Sequence, residues 1–436
     1  MRYSIVTFGC RVNQADSLRI EEDLRARGGV ETPASEADLV VVNTCSVTAT
    51  ADQGTRQTIR RIARENPSAR IVATGCYATR CVDEVAALPN VVQVVRNDEK
   101  FQWLADVTQG FKPADAGGDG PCGRPIEPGV GGRTAFTLRV QTGCEERCAY
   151  CIIPTTRGRS RSIPIEEVVS EVQRIAEAGF KEVTLTGVHL GSYGRDLGER
   201  SSLVKVLRAL ERIGGDVTFR ISSLEPMDCT PDIVDLVARS GRFLPHFHLP
   251  LQHASDRMLR AMQRPYTLEY YARMAEDIRA RLPHASIGSD IIVGFPGETD
   301  DHFRENIEYL PVSPLTHLHV FPYSDRPGTV ASSMPGKVHG GIVRERGLEL
   351  RRIGLELTRR FHESHVDTVR PGLTLEDGTL VVTDNYLKVR IPPGLERNER
   401  VRVRIDRADG HLMRGTVMPA SGRPAAVLEP FRASTR

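Results

Sequence analysis

The sequence predicts an α/β protein in three parts: an N-terminal domain built on a parallel sheet, an open barrel of six strand–helix units, and a small closed β-barrel at the C-terminus. Three observations carry this prediction. Short apolar runs alternate with amphipathic helical stretches through the first hundred residues, the pattern of a parallel sheet covered by helices. A Gly- and Pro-rich stretch interrupts that rhythm, which then resumes for six further units. The last seventy residues switch to short strands separated by turn signals. A length of 436 residues suits roughly three domains at about 150 residues each.

In the first part, strands are expected at 3–8, 39–42, 71–73 and 91–95, with helical periodicity at 17–27, 53–65, after residue 76 and at 101–107. Residues 112–133, with Gly117-Gly118-Asp119-Gly120-Pro121 and Gly129-Val130-Gly131-Gly132, read as a linker. From residue 134, strands are expected at 136–140, 182–185, 217–221, 247–251, 286–293 and 317–321. Helices at 165–178, 203–213 and 267–281 fall between them. Six such units make three-quarters of the eight-unit barrel, so an open partial barrel follows, with its site at the C-terminal strand ends. An arginine-rich helical stretch at 343–365 leads to strands at 379–382, 385–391, 401–405 and 413–417. A small closed β-barrel appended to an enzyme commonly presents a nucleic-acid-binding face. The domain limits are set at 1–111, 112–133 (linker), 134–364 and 365–436.

Composition excludes several classes. Hydrophobic residues make up 40% and charged residues 26%, enough apolar material for globular cores. No apolar run approaches the ~18 residues that span a bilayer, so no membrane association is expected. The first residues enter a strand at once and lack a signal peptide's apolar core and cleavage site. A cytoplasmic location is expected, where reduced cysteines serve metals or redox chemistry rather than disulfides. A net charge of +2 announces no global affinity for nucleic acid.

The richest segment is Cys144-Glu145-Glu146-Arg147-Cys148-Ala149-Tyr150-Cys151. Three cysteines at C-x3-C-x2-C can hold three irons of a four-iron cluster and leave the fourth without a protein ligand. A cluster held wholly by cysteine mainly moves electrons, whereas an open iron can bind a substrate or cofactor directly. A second set, Cys10, Cys45 and Cys76, follows three separate strands. Parallel strands all exit on one edge, so these cysteines converge, and Gly9 and Gly75 leave room for an inorganic core. One such cysteine alone is more often a small buried apolar residue. Three at equivalent strand ends favour a second cluster, again with three protein ligands. Cys81 suits helix packing better than ligation, and Cys122 and Cys229 look incidental.

The flanks narrow the identity. Gln141-Thr142-Gly143-Cys144 through Cys151-Ile152-Ile153-Pro154-Thr155-Thr156-Arg157-Gly158 resembles the methylthiotransferase family of the radical S-adenosylmethionine superfamily. Phe8-Gly9-Cys10-Arg11-Val12-Asn13-Gln14, Asn43-Thr44-Cys45-Ser46-Val47-Thr48 and Thr74-Gly75-Cys76-Tyr77-Ala78 resemble it too. The likeness runs nearly the whole chain in the family's order. It implies a C-terminal TRAM domain that binds RNA, and two [4Fe-4S] clusters with S-adenosyl-L-methionine as cofactors. Cys144, Cys148 and Cys151 would hold the radical cluster; Cys10, Cys45 and Cys76 would hold the auxiliary cluster where sulfur is transferred. Tyr150, Gly187, Ser222, Glu225 and Ile292 fall where the superfamily binds S-adenosylmethionine. Lys388, Arg400, Arg402 and Arg404 are expected to face RNA, because alternation along a strand projects side chains together.

Thr186-Gly187-Val188-His189-Leu190-Gly191, Arg220-Ile221-Ser222-Ser223-Leu224-Glu225-Pro226 and Thr383-Asp384-Asn385-Tyr386-Leu387-Lys388-Val389 most resemble the branch acting on threonylcarbamoyladenosine in tRNA. Other branches act on isopentenyladenosine in tRNA or on an aspartate of a ribosomal protein, and a non-catalytic iron–sulfur RNA-binding protein is a rival of another class. The resemblance implies three partners: the anticodon stem-loop of tRNA, an external one-electron donor and a sulfur donor system. One departure is His253, in Leu251-Gln252-His253-Ala254-Ser255, where relatives keep a small residue; it puts the local pocket shape in question. His246 and His248 project to one face of a strand and read as satisfied polar residues near the barrel mouth rather than a metal pair. Arg56, Arg60, Arg61 and Arg64 share one side of a helix and read as a solvated face.

Overall fold

The structure is a computed structural model that describes residues 1–101, 127–129, 134–198, 202–410 and 412–419. Most of the expected linker, the helix expected at 101–107 and Cys122 lie outside the described residues. The chain forms two compact units, Met1–Thr358 and Arg359–Arg436.

The first unit begins with a five-stranded parallel sheet in the order β2-β1-β3-β4-β5. Its strands are β1 (Arg2–Thr7), β2 (Val30–Glu31), β3 (Leu39–Thr44), β4 (Arg70–Gly75) and β5 (Val91–Val95). β3 is buried along its whole length, as a central parallel strand covered on both faces must be. Its side chains alternate between two cores. Leu39 and Val41 pack with Tyr3, Ile20, Leu24 and Val72, while Val40 and Val42 pack with Ile59, Ile62 and Ile71. The two-residue strand β2 was not anticipated from sequence.

Helix α1 (Arg11–Ala26) starts six residues before the expected position, and α2 (Ala49–Glu65) starts four before. The first turns of α1 hide their apolar period because Asn13, Asp16 and Ser17 are polar yet buried. Thr48 caps α2 by accepting from the Ala51 amide at 3.2 Å, a bond that satisfies one orphan donor of the first turn.

After β6 (Phe136–Arg139), a small antiparallel ribbon pairs β7 (Gln141–Thr142) with β8 (Arg161–Ser162). The barrel continues with β9 (Glu182–Thr186), β10 (Thr218–Ile221), β11 (His246–His248), β12 (Ser286–Val293) and β13 (His317–Pro322). The orders are β10-β9-β6 and β11-β12-β13, and parallel bridges Phe219↔Phe243 and Ser223↔His248 join the halves into one open wall. The expected helices appear at Ile165–Glu177, Ser202–Glu211 and Leu268–Arg281. β11 is shorter than the strand expected at 247–251: Pro250 has no amide to give the ladder, although Leu249 N and Gln252 N still donate to Gly288 O and Asp290 O of β12.

The second unit is a closed barrel in the order β14-β15-β16-β18-β17, around Val381, Val389, Val403, Ile405 and Met413. Four of its strands were expected: β15 (Leu380–Thr383), β16 (Lys388–Arg390), β17 (Arg400–Asp409) and β18 (Leu412–Met418). The fifth, β14 (Val369–Leu375), contains Pro371 and Gly372, which read as breakers in sequence but sit here on a strand paired with β15 and β17. Among the described residues no helix is long and apolar enough to cross a membrane.

One buried polar cluster ties the first sheet to the barrel. Asp16 of α1 meets Lys100 Nζ at 3.0 Å, Arg139 Nη1 of β6 at 2.9 Å and Arg157 Nη2 at 3.1 Å. Burial opposes the Asp16 charge, but these three cations hold its carboxyl well below the usual carboxylate range. Removing one member of a buried pair leaves an uncompensated charge, at about 3–5 kcal/mol. Asp16→Asn is therefore expected to destabilise the first unit by about that amount, read as a drop in its urea unfolding midpoint. Because the folded pKa is depressed, the Asp16 contribution is complete above the unfolded value of ~3.9 and fades as pH falls below it. An Asp16→Asn chain should accordingly lose less stability than the wild type on acidification through that range.

Candidate active site

Cys10 follows β1, Cys45 follows β3 and Cys76 opens the short helix α3 (Cys76–Arg80) after β4. These are three neighbouring strands, so the cysteines share one sheet edge. Asn13 fastens that edge, donating to Phe8 O at 2.8 Å and Thr44 O at 2.9 Å. Gly9, at φ +88°, allows the close approach: a Cβ there would lie 2.5 Å from Cys45 Sγ. Gly75, at φ +98°, would bring a Cβ within 2.2 Å of Thr44 O.

Burial pushes the Cys45 thiol up to about 11, with the neighbouring Cys10 and Cys76 adding to the rise. Cys76 goes the other way. Its burial is outweighed by the positive charges of Arg157 and Lys100. Asn97 Nδ2 lies 3.7 Å from Cys76 Sγ and also donates to Thr156 O at 2.8 Å. Three converging sulfurs, a cradle that a Cβ would fill and buried cations against one sulfur fit an anionic four-iron cluster with one open iron.

The second triad sits in the loop after β7, at the C-terminal end of the barrel strands. Cys144 N donates to Gly158 O at 3.0 Å and Cys151 N to Cys148 O at 3.1 Å, which folds the loop back on itself. Ala149 anchors it by donating to Met262 O at 3.0 Å and accepting from Ala331 N at 2.8 Å. Burial first, then the other cysteines, lifts Cys144 to about 11 and Cys151 to about 12. Metal binding at such thiols must release protons.

Two side chains from distant segments approach these sulfurs. His189 Nδ1 lies 3.8 Å from Cys144 Sγ, and its Nε2 lies 2.7 Å from Asp228 Oδ2. The Arg264 guanidinium is buried, donates to Cys148 Sγ at 2.8 Å, pairs with Glu225 and donates through Nε to Tyr266 Oη at 3.1 Å. Hydrogen bonds and charge at the sulfurs tune a cluster's potential. Sequence reading missed Arg264 and Arg157 because their partners are remote: Arg264 is 116 residues from Cys148 and Arg157 is 144 from Asn13.

The five residues expected at the cofactor fall into three places around this loop. Tyr150 and Ile292 share an apolar cluster with Met258, Met262 and Phe295, and burial pushes the Tyr150 phenol well up. Glu225 is tied to Cys148 through Arg264. Ser222, just past β10, donates to Thr186 Oγ1 at 3.2 Å at the end of neighbouring β9, and Gly187 follows directly, packed against the Gln141 side chain.

His253 is fully buried. Its Nδ1 accepts from Ser255 N at 2.9 Å, and its Nε2 lies 3.0 Å from Asn306 Nδ2 and 3.6 Å from Glu298 Oε2. Its ring is taken up by these polar partners. Cys81 packs beside Tyr77, Ala78 and Val85, and Cys229 is buried with its thiol pushed to about 12 by desolvation. Arg56 pairs with Tyr77 Oη at 2.8 Å and Glu84 at 3.1 Å.

In the second unit, Arg400, Arg402 and Arg404 stand exposed on one face of β17, with Val403 and Ile405 turned into the barrel. Lys388 is exposed on β16, from which β17 is separated by β18.

Comparison with known proteins agrees with this layout. The family described as "Radical SAM superfamily" matches residues 138–310, and the one described as "Uncharacterized protein family UPF0004" matches residues 2–96. The chain is similar to the threonylcarbamoyladenosine tRNA methylthiotransferase MtaB of Bacillus subtilis, at 36% identity covering 88% of each chain. It is similar to the protein of the same name from Aquifex aeolicus, at 35% over 93% of this chain and 100% of the relative. It is also similar to the tRNA-2-methylthio-N(6)-dimethylallyladenosine synthase of Leifsonia xyli, at 34% over 79% of this chain and 66% of that one. Among solved structures, the radical S-adenosylmethionine methyltransferase TsrM of Kitasatospora setae shares the fold, with a TM-score of 0.54 at 16% identity over 76% of this chain and 73% of that one.

Replacing Cys144, Cys148 and Cys151 together by Ala, or Cys10, Cys45 and Cys76 together, should each leave about four irons per chain where the unaltered protein holds about eight. Arg264→Leu, made with only the barrel triad intact, should weaken iron retention about 10- to 100-fold in chelator competition. It should also lower the cluster's reduction potential, because a positive charge beside the sulfur is gone.

Proposed function

The chain belongs to the radical S-adenosylmethionine methylthiotransferase family, and on that premise we propose that it adds a methylthio group to carbon 2 of N6-threonylcarbamoyladenosine beside the anticodon of tRNA. The observation that carries this reading is the pair of three-cysteine sites in one compact unit, linked by Arg157, which reaches Asn13 and Asp16 on one side and ends the short helix Ile153–Arg157 that follows the barrel cysteines on the other. Relatives sharing about a third of their residues over nine-tenths of this chain carry the threonylcarbamoyladenosine name.

Cys144, Cys148 and Cys151 would hold one four-iron cluster, and Cys10, Cys45 and Cys76 the other. When bound, the first would pass on an electron from an external donor to split S-adenosylmethionine into methionine and a 5′-deoxyadenosyl radical, and the second would supply the site from which sulfur is transferred. The remaining work falls to this chain's side chains. Arg264 holds Glu225 and Cys148 in fixed relation, so that a cofactor amine or ribose meeting Glu225 stands at a defined distance from the barrel cluster. Tyr150 and Ile292 give an apolar wall for adenine, and Ser222 and Gly187 close the floor at the ends of β10 and β9. Arg157 and Lys100 offset the negative charge of the auxiliary cluster, and Asp16 offsets theirs in turn. An external one-electron donor and a sulfur donor system complete the cycle, in the cytoplasm.

The second unit supplies RNA affinity through Arg400, Arg402 and Arg404, with Lys388 as an outlying contact. Phosphate contacts of this kind position RNA and make binding salt-dependent.

Nucleoside analysis of tRNA from a deletion strain tests the substrate. Loss of 2-methylthio-N6-threonylcarbamoyladenosine, with its unthiolated parent accumulating, is expected. Loss of the methylthio derivative of isopentenyladenosine instead would move the protein to the reaction named for its Leifsonia xyli relative. Changing Arg400, Arg402 and Arg404 together to Ala should weaken binding of an anticodon hairpin and lower the log–log salt slope by about two, near 0.7 for each lost contact to single-stranded RNA.

A further inference from the structure

The last three barrel strands present a polar ladder on one face. On β12, Ile287, Ser289, Ile291 and Val293 are buried in the wall, which turns Gly288, Asp290 and Ile292 to the opposite face. Parallel pairing sets Gly288 beside His317, Asp290 beside His319 and Ile292 beside Phe321. His248 of β11 lies beside Gly288 from the other side. A Cβ on Gly288 would come within 2.0 Å of His317 Nε2, so the absent side chain admits that ring.

Asp290 is the hub. Its Oδ1 lies 3.0 Å from His248 Nε2 and 3.2 Å from His319 Nδ1. Burial opposes its charge, but the hydrogen bonds from both rings hold its carboxyl well below the ordinary range. An ionised carboxylate only accepts, so each ring donates to it, and His319 turns its Nε2 away from Asp290. Deeper on the face, burial and then the neighbouring imidazoles push His317 down to about 3. The ladder is therefore neutral at its foot and polar at its top.

The top is open. The His319 side chain is 55% exposed and Phe321 is 40% exposed, with ring centroids 6.4 Å apart. Along the same face Ile292 joins Tyr150 and Tyr323 in one apolar cluster, so the ladder leads to the Cys148–Cys151 loop. An exposed aromatic beside hydrogen-bonding rings is a surface on which an unstacked base can lie.

Resting on the reading above, we propose that His319, held by Asp290 and backed by His248, accepts through Nε2 from the hydroxyl of the polar arm of threonylcarbamoyladenosine while Phe321 offers its base a stacking face. These residues then select that arm over an apolar dimethylallyl arm, which would cover His319 Nε2 and leave it desolvated without a partner. A site built to hydrogen-bond its substrate rejects an analogue lacking the group far more strongly than an apolar pocket rejects a size change. The three ligand atoms also lie within 4.8 Å of one another, a spacing a divalent cation accepts. Both rings, however, point at the same carboxylate oxygen, so their N–H bonds satisfy the set without an ion.

Holoenzyme carrying His319→Phe, with His319→Gln as the conservative partner, is assayed on two synthetic anticodon hairpins, one with threonylcarbamoyladenosine and one with dimethylallyladenosine. His319→Phe should lower kcat/KM on the first about 10- to 100-fold and leave any activity on the second within about threefold, with His319→Gln recovering most of the loss. Affinity for each hairpin, measured by fluorescence anisotropy, should show the same selective loss, and iron content and circular dichroism equal to wild type establish that the variants are folded and loaded. No loss on the first hairpin, or an equal loss on both, overturns the proposal. Stoichiometric zinc or manganese bound to the wild-type holoenzyme and absent from His319→Phe overturns it in favour of a metal site. Wild-type turnover of the dimethylallyl hairpin alone overturns instead the reading on which the proposal rests, whatever the variants do.

Discussion

The Asp16 carboxylate is the contact on which the rest of the arrangement depends. It is buried in α1, directly behind the Cys10 edge, and it faces Lys100, Arg139 and Arg157 at 2.9–3.1 Å. Those three cations come from just past the last strand of the N-terminal sheet, from the first barrel strand and from the short helix Ile153–Arg157 after the barrel cysteines. Without the carboxylate they would be like charges crowded in a low-dielectric interior. With it, they become the joint that sets one cysteine triad against the other. Arg157 belongs to both structures at once, because the guanidinium that meets Asp16 also lowers the Cys76 thiol.

A second joint repeats the principle on the far side of the same edge. Asp52 in α2 accepts from Arg80 at 2.6 Å and from Arg326 at 2.7 Å, and Ala49 N donates to Ser324 Oγ at 3.0 Å. Arg326 is buried and reaches Asp52 across 274 residues of chain. Apolar surfaces can slide over one another at little cost, since burial has no preferred direction. Charge-assisted hydrogen bonds are short and directional, so two such joints fix the register as well as the contact. Chemistry that moves a group between two inorganic centres needs that kind of fixed separation.

The legible parts of the sequence were those where neighbours decide the outcome. The β3 run Leu39-Val40-Val41-Val42 is apolar on both faces and reads as a central parallel strand from composition alone. The start of α1 was hidden because Asn13 and Asp16 occupy buried positions that a periodicity search expects to be apolar. β14 was hidden because Pro371 and Gly372 signal a break, yet the strand is completed on one side by the next strand, β15, and on the other by β17, about thirty residues away. His253 shows the converse. As a departure in a motif it raised a question of pocket shape, and the fold answers it by burying the ring against Asn306 and Glu298.

By itself the sequence determined the two sets of three cysteines, the strand–helix alternation that carries them to strand ends, and the basic alternation on β17. Each of these is written in spacings of a few residues, where local geometry fixes direction. Only the tertiary structure decided which charges face the sulfurs and which rings line the barrel. Arg264 meets Cys148, Arg157 meets Cys76, and His248 and His319 meet on one oxygen of Asp290 because packing brings distant segments to the same point. No spacing in the chain encodes such a meeting, since the partner of a buried charge is chosen by the fold that excludes water from it.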